Sequence, residues 1–302
     1  TVNIYWVYNA MSAYNGAAVA LPVSFIPLGL GALLMTFAFW LYYRLRIYVN
    51  KTMAYLGLIS FYIALEYLQQ SWDLAFPWMT LGNGLAGMHQ LAQWYDHTGV
   101  YGGSLWILLS NVLAFEAIKQ FRSDTGLARV KILCIWVLIL AIPIGISLNK
   151  YYRATEKGTP SNVVVVQPNI DPYQKLEFIP PAEQMSILTH LCDSVAQVNT
   201  EYFIWPETAI PSYDDEERIR QSTTFTTLQN FISKYKNGTL ITGIESTRFY
   251  PEKKTLSAQY DPQRNIFIDH FNTAMQVENS ANVQFYHKSK LVPGVEKMPF
   301  PK

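Results

Sequence analysis

Two short stretches carry the residue types that proton transfer and oxyanion stabilisation need. In "FIWPETAIP", residues 203–211, an apolar run hands straight over to a carboxylate, Glu207. Open α/β sheets keep their catalytic groups just beyond strand ends, which is where this acid falls. Set against Trp205, it would lose hydration, and desolvation raises a carboxylate toward the range useful for a general base. The same acid also reads as a turn cap or a surface ion-pair partner, because most acids are solvated. In "YHKSKLVPGVE", residues 286–296, Lys288 closes a second aromatic run and Glu296 follows eight residues on. A lysine ammonium beside a reacting carbonyl stabilises the oxyanion that forms there. Lys290, two residues on, shares its face of a strand, and a basic edge that discourages sheet pairing accounts for both lysines equally well.

The elements that must position these groups follow one another through the second half. "NVVVVQ" (162–167) is a β-branched run without alternation, which predicts a strand buried on both faces. A helix is expected after Pro180 and Pro181, with Met185, Leu188, Leu191, Cys192 and Val195 at helical spacing. Tyr202 to Trp205 is the second strand. A helix is expected over about 216–236, stopped by Asn237-Gly238. "TLITGI" (239–244), "FNTAMQV" (271–277) and "NVQFYHK" (282–288) are further strands. This alternation argues for an α/β domain with helices layered on a sheet.

The first half lives by other rules. Residues 1–150 hold 8 Lys/Arg and 5 Asp/Glu, whereas residues 151–302 hold 15 and 17, so a domain boundary is expected near residue 150. Apolar runs at about 17–43, 52–68, 99–117 and 130–148 approach the roughly 20 residues that cross a bilayer. The prolines at 22, 27 and 143 are tolerated in such helices. Basic residues in successive connections number none, three, none and four, which puts 1–14, 72–98 and everything after 150 on the extracytoplasmic side. The aromatic loop 72–98 reads either as an interfacial anchor or as a re-entrant segment shaping a lipid route.

Several classes are excluded or unsupported. A net charge of +1 offers no basic stripe for nucleic acid. Two cysteines, Cys134 and Cys192, make no disulfide framework. His89, His97, His190, His270 and His287 lack paired ligand spacing, so no metal site is expected. The chain opens on Thr1 without a basic n-region, so no signal peptide is read and a longer parent protein is expected.

Taken in order after a multi-span segment, "VVVVQPNI" (163–170), "FIWPETAIP", "ITGIES" (241–246), "FNTA" (271–274) and "YHKSKLVPGVE" resemble the apolipoprotein N-acyltransferases, membrane members of the nitrilase superfamily. "FPWMTLGN" (76–83) and "TGVYGGSLW" (98–106) are similar to that family's membrane part. The resemblance implies a multi-span α-helical membrane domain (1–150) followed by an extracytoplasmic nitrilase-like α-β-β-α domain (151–302). It implies Glu207 as general base, Lys288 as oxyanion stabiliser and Glu296 as a second acid. The reaction it implies moves an acyl chain from a phospholipid to a cysteine, and then to the α-amine of a diacylglyceryl-cysteine lipoprotein precursor in the bacterial inner membrane. No cofactor is implied.

The family's nucleophilic cysteine has no counterpart here and is expected beyond Lys302, as further spans are expected before Thr1. Val295 and Leu176 stand where relatives often place Gly and Trp. Loops 72–98 and 171–180 are the candidates for gating. Two other classes fit the same residues: a membrane-anchored amidohydrolase sending the acyl group to water, and a non-catalytic lipid-binding scaffold.

Overall fold

The structure, a computed structural model, describes residues 5–123, 126–171, 175, 178–293, 296–297 and 300. It divides into two compact units, Thr1–Lys157 with Pro293–Phe300 and Gly158–Val292 with Pro301–Lys302.

The first unit is helical: α1 Trp6–Asn15, α2 Ala17–Leu45, α3 Lys51–Ser71, α4 Tyr95–Ser123 and α5 Leu127–Arg153. Among the described residues three helices are long and apolar enough to cross a membrane, Ala18–Leu45, Tyr95–Gln120 and Val130–Arg153. The span expected at 52–68 is helical within α3 but is not one of the three. Its polar residues explain why. Glu66 and Gln69 share a buried face with Ala54, Leu58, Ile59 and Tyr62, so α3 turns polar groups toward its neighbours. Asn50 caps α3 by accepting from the Met53 amide at 3.0 Å, which satisfies a donor the helix itself leaves open. Glu116 on α4 ties α3 down, accepting from Tyr55 Oη at 2.6 Å and from Lys51 Nζ.

Within the expected outer loop, 72–98, part of the backbone is regular. Pro77–Met79 and Leu81–Leu91 form 3-10 helices held by side chains of the long helices. The Glu66 carboxylate accepts the Leu81 amide at 2.7 Å, Ser104 Oγ accepts the Gly82 amide at 3.0 Å, and Ser147 Oγ donates to the Leu91 carbonyl at 2.9 Å.

The second unit is a mixed seven-stranded sheet with helices on one face: β1 Val163–Val165, β2 Tyr202–Ile204, β3 Ile210–Asp215, β4 Thr239–Tyr250, β5 Gln259–Asp261, β6 Ile266–Glu278 and β7 Val283–His287. Its helices are α6 Pro181–Val195 and α7 Thr223–Ile232. Strands β1, β2 and β4 run parallel, and β6 runs antiparallel to β4. Because β6 occupies one whole side of β4, strands β2 and β3 share the other side, end to end. Strands β5 and β7 share the far side of β6 in the same way.

Period-two alternation sorts the side chains. Val164, Phe203, Leu240, Ile244, Met275 and Val277 pack against Leu188, Cys192, Leu228, Phe231 and Ile232 of the two helices. Among the described residues nothing buries the opposite face of β1, and this corrects the expectation of a doubly buried first strand. Val164 is buried, whereas Val163 and Val165 are 46% and 72% exposed. A β-branched run marks a strand, but the cover on its second face has to come from other elements. Strand β3 was not expected, because "IPSYDD" has a proline and two acids where a strand pattern has β-branched residues. The helix expected from 216 starts only at Thr223, capped by Ser222 Oγ on the Phe225 amide. Glu216 instead leaves β3 and is buried.

Candidate active site

The strand β2 does not run on into β3. Residues 205–209 leave the sheet, arch over β4 and rejoin it at Ile210, which pairs with Ile244. The arch is fixed at its foot by the Trp205 amide donating to the Ile241 carbonyl at 2.9 Å and by the Gly243 amide donating to the Pro206 carbonyl at 3.2 Å. Gly243 is needed because the arch lies directly on it. A Cβ there would sit 2.5 Å from the Thr208 nitrogen and 2.7 Å from the Glu207 Cα. Thr208 has a left-handed φ of 47°, a conformation that costs a non-glycine residue energy and marks a geometry imposed by its surroundings. Its hydroxyl donates to Glu245 Oε1 at 3.0 Å.

The crest of the arch carries Glu207 onto the open face of the sheet. Lys288 arrives from the other direction. It is the first residue after β7, and its amide donates to the Asn272 carbonyl at 2.8 Å, which extends the β6–β7 ladder by one step. Lys288 Nζ donates to Glu207 Oε1 at 2.8 Å, and Asn272 Nδ2 donates to the same oxygen. Two residues distant in sequence thus meet because β4 and β6 bring a loop and a strand end together.

Lys175 adds a second ammonium, its Nζ 3.4 Å from the Glu207 carbonyl. Burial pulls the Lys175 ammonium below lysine's usual range, against Glu245 and Glu207, which pull the other way. The Lys175 backbone carbonyl is itself held by Gln184 Nε2 of α6 at 2.6 Å. Of the expected gate 171–180, residues 172–174 and 176–177, with Leu176 among them, lie outside the described residues.

The expected desolvation of Glu207 by Trp205 is not what the structure has. Trp205 turns into the core on the helix-covered face, buried and donating to Cys192 Sγ at 3.1 Å. The Glu207 side chain is 61% exposed and the Lys288 side chain 30%. A charged partner, Lys288, and an amide donor, Asn272, both meet this carboxylate. Lys290 is exposed beyond the strand end.

Glu296, the third expected site residue, stands half-buried in a turn of the 293–300 segment, within the first unit. Beside it, Lys297 Nζ pairs with Asp73 Oδ1 at 2.7 Å, also within that unit. Cys192 is no nucleophile. Its thiol is wholly buried, and that burial pushes it up to about 11, against the bond from the Trp205 indole. Cys134 lies on α5, in a stretch apolar enough to cross a membrane. Among the described residues no three His, Cys, Asp or Glu side chains gather as a metal site.

Sequence reasoning missed Asn272, Glu245 and Lys175 as neighbours of the pair. Asn272 and Glu245 are directly opposed in the β4–β6 register. Both lie in the quoted stretches "FNTA" and "ITGIES", so the signal was in the motifs, although nothing in their residue types set these two apart.

Residues 1–113 match the family described as the apolipoprotein N-acyltransferase N-terminal domain. The chain is 29% identical over 258 residues to an apolipoprotein N-acyltransferase of Chlorobaculum tepidum, covering 81% of this chain and 47% of that protein. It is 28% identical over 300 residues to one of Pseudomonas aeruginosa, covering 97% and 53%. One of Geobacter metallireducens is 31% identical over 165 residues, covering 53% and 32%. The chain spans about half the length or less of these curated relatives.

Proposed function

We propose that this chain, which resembles the apolipoprotein N-acyltransferases along nearly its whole length, carries the base and the oxyanion-stabilising lysine of a phospholipid-to-lipoprotein N-acyltransferase. The observation that carries the reading is the 2.8 Å pair of Glu207 and Lys288 at the crest of an arch and the end of a strand. The donor is a membrane phospholipid and the acceptor a diacylglyceryl-cysteine lipoprotein precursor. Both are anchored in a bilayer, which gives the membrane-capable helices a purpose that a soluble amidase would lack. Residues 1–150 are proposed as the membrane domain and 151–302 as part of the catalytic domain, on the extracytoplasmic side of the inner membrane.

In the proposed chemistry Glu207 takes the proton of a cysteine thiol. The thiolate attacks the ester carbonyl of the phospholipid, and Lys288 stabilises the oxyanion. The C–O bond breaks, Glu207 returns the proton to the departing oxygen, and lysophospholipid leaves behind a thioester. The acceptor amine then attacks the thioester, losing a proton as the amide forms, and the thiol is restored. We place that thiol outside these 302 residues, since Cys192 is sealed in the core and Cys134 is in a membrane-capable helix. Glu296 is assigned as the second acid on the resemblance alone.

The test is product analysis of the full-length protein given phospholipid and a diacylglyceryl-cysteine peptide. Lysophospholipid together with N-acylated peptide is the expected outcome. Free fatty acid without acylated amine would instead establish hydrolysis, and no turnover of any lipid would establish a binding scaffold.

A further inference from the structure

Directly behind the pair, on the helix-covered face of the sheet, lies a cluster that the proposed chemistry does not use. Glu216 is buried, its side chain 3% exposed. One carboxylate oxygen meets His287 Nε2 at 2.6 Å and accepts from Ser246 Oγ at 2.6 Å, and the other accepts from Arg248 Nε at 2.6 Å. Ser246 Oγ in turn lies 2.7 Å from Thr273 Oγ1. The His287 ring stacks on Phe271, centroids 3.9 Å apart and planes 7° from parallel.

The placement of these residues along the strands is what matters. His287 immediately precedes Lys288, and Phe271 and Thr273 flank Asn272. Successive residues of a strand point to opposite faces, so the cluster grips from below the end of β7 and the middle of β6, whose adjoining residues Lys288 and Asn272 reach Glu207 from above. Thr273 and His287 are paired across β6 and β7, which makes this gripped point the last rung before Lys288. A buried ion cluster of this kind is weak evidence for stability, because apolar residues of similar volume often serve at least as well. What such a cluster does supply is one fixed geometry.

We propose that Glu216 and His287 are positioning residues that hold the end of β7, and through it the Lys288 ammonium, in register with Glu207. This rests on the functional reading above for its consequence in catalysis, but not for the positioning itself. A lysine two atoms out of place cannot meet a developing oxyanion, and misplacements of about 1 Å cost up to roughly a hundredfold in rate.

The experiment compares His287→Phe, which keeps a stacked ring and loses the bond to Glu216, with His287→Gln, whose amide puts a donor where Nε2 was. Both are made in the full-length protein in detergent. The first readout is the acetylation rate of the Lys288 amine by acetic anhydride, relative to exposed Lys290, read by peptide mass spectrometry. His287→Phe is expected to raise this ratio severalfold, as Glu207→Gln also should, while His287→Gln keeps it near wild type. The second readout is steady-state acyl transfer, where kcat should fall roughly ten- to a hundredfold in His287→Phe with KM held. If His287→Phe does not fold, Glu216→Asp shortens the reach to His287 while keeping the charge beside Arg248, and should raise the ratio likewise. An unchanged labelling ratio in a folded variant overturns the proposal, as does a His287→Gln variant no better than Phe. A raised ratio in His287→Phe, with a wild type that transfers no acyl group, would uphold the positioning and sink the functional reading instead.

Discussion

Glu207 and Glu216 are two carboxylates on opposite faces of one sheet, each paired with a basic residue of the same "YHK" stretch, and they live in opposite conditions. Glu207 is held on the crest of an exposed arch with its side chain 61% open, and meets Lys288 across the uncovered face. Glu216 is buried to 3%, with His287, Arg248 and Ser246 filling its hydrogen-bonding positions. An exposed ion pair contributes about 0–1 kcal/mol to stability, whereas stripping one partner from a buried one costs about 3–5 kcal/mol. The comparison therefore separates chemistry from structure. The upper pair is open to a substrate and contributes little to folding, while the lower cluster is closed to any substrate and contributes to the frame.

The sharpest way to break that contrast is to exchange the effects. Glu207→Gln should lower acyl transfer by about 10²–10⁴-fold, the usual contribution of a general base, while moving stability by no more than about 0.5 kcal/mol. Parallel assays of product formation and thermal unfolding check both halves, and a large loss of stability would erase the distinction. Glu216→Ala should do the reverse in its first effect, destabilising the protein by about 1–3 kcal/mol because Ser246, His287 and Arg248 lose the acceptor they share. Denaturant titration measures it.

Gly243→Ala probes what lies between the two faces. The added methyl meets the arch backbone, and overpacking of this sort costs about 1–3 kcal/mol. Lifting the arch off β4 moves Glu207 relative to Lys288, so activity should fall together with stability. A variant that loses neither would show that the arch does not rest on this glycine.

The smallest effect concerns Asp193 at the end of α6. Burial pulls its pKa up, but hydrogen bonds from Lys234 and Tyr235 outweigh this and hold it below the usual range. A depressed folded-state value means stability that is present above the unfolded pKa and lost as pH falls through the folded one. Asp193→Asn should therefore cost a few tenths of a kcal/mol at neutral pH, discounted for its exposure, and the difference should vanish as pH falls through the folded-state value. Thermal unfolding across pH checks it, and a deficit that persists in acid would point to lost packing in place of lost charge.

The same contrast explains what could be read from the sequence. Glu207 and Lys288 were legible because each ends an apolar run, and the strands that carry them have clear β-branched or aromatic patterns. The helix α6 was legible from its spacing and its two prolines. Glu216 was not. It falls in "DDEER", where the start of a helix was expected, and its burial depends on β3 pairing with β4 at long range. The 3-10 helices of 77–91 were hidden for a similar reason, since Glu66, Ser104 and Ser147 come from three different helices. The apolar run of α3 was visible, but its length alone did not reveal that its acid faces inward. The uncovered side of β1 could not be foreseen either, because burial on the second face is a property of whatever packs there. Local pattern identified elements and their ends, while partners in a distant strand decided which charges are inside.

The measurement that tests the central claim most directly is the intact mass of the full-length protein after incubation with a phospholipid of one defined acyl chain and no acceptor. The account predicts a single acyl adduct on a cysteine, released by neutral hydroxylamine as a thioester is, and lost in Glu207→Gln. An adduct that forms at the wild-type rate in Glu207→Gln would contradict it, because the exposed pair would then have no part in making the thiolate.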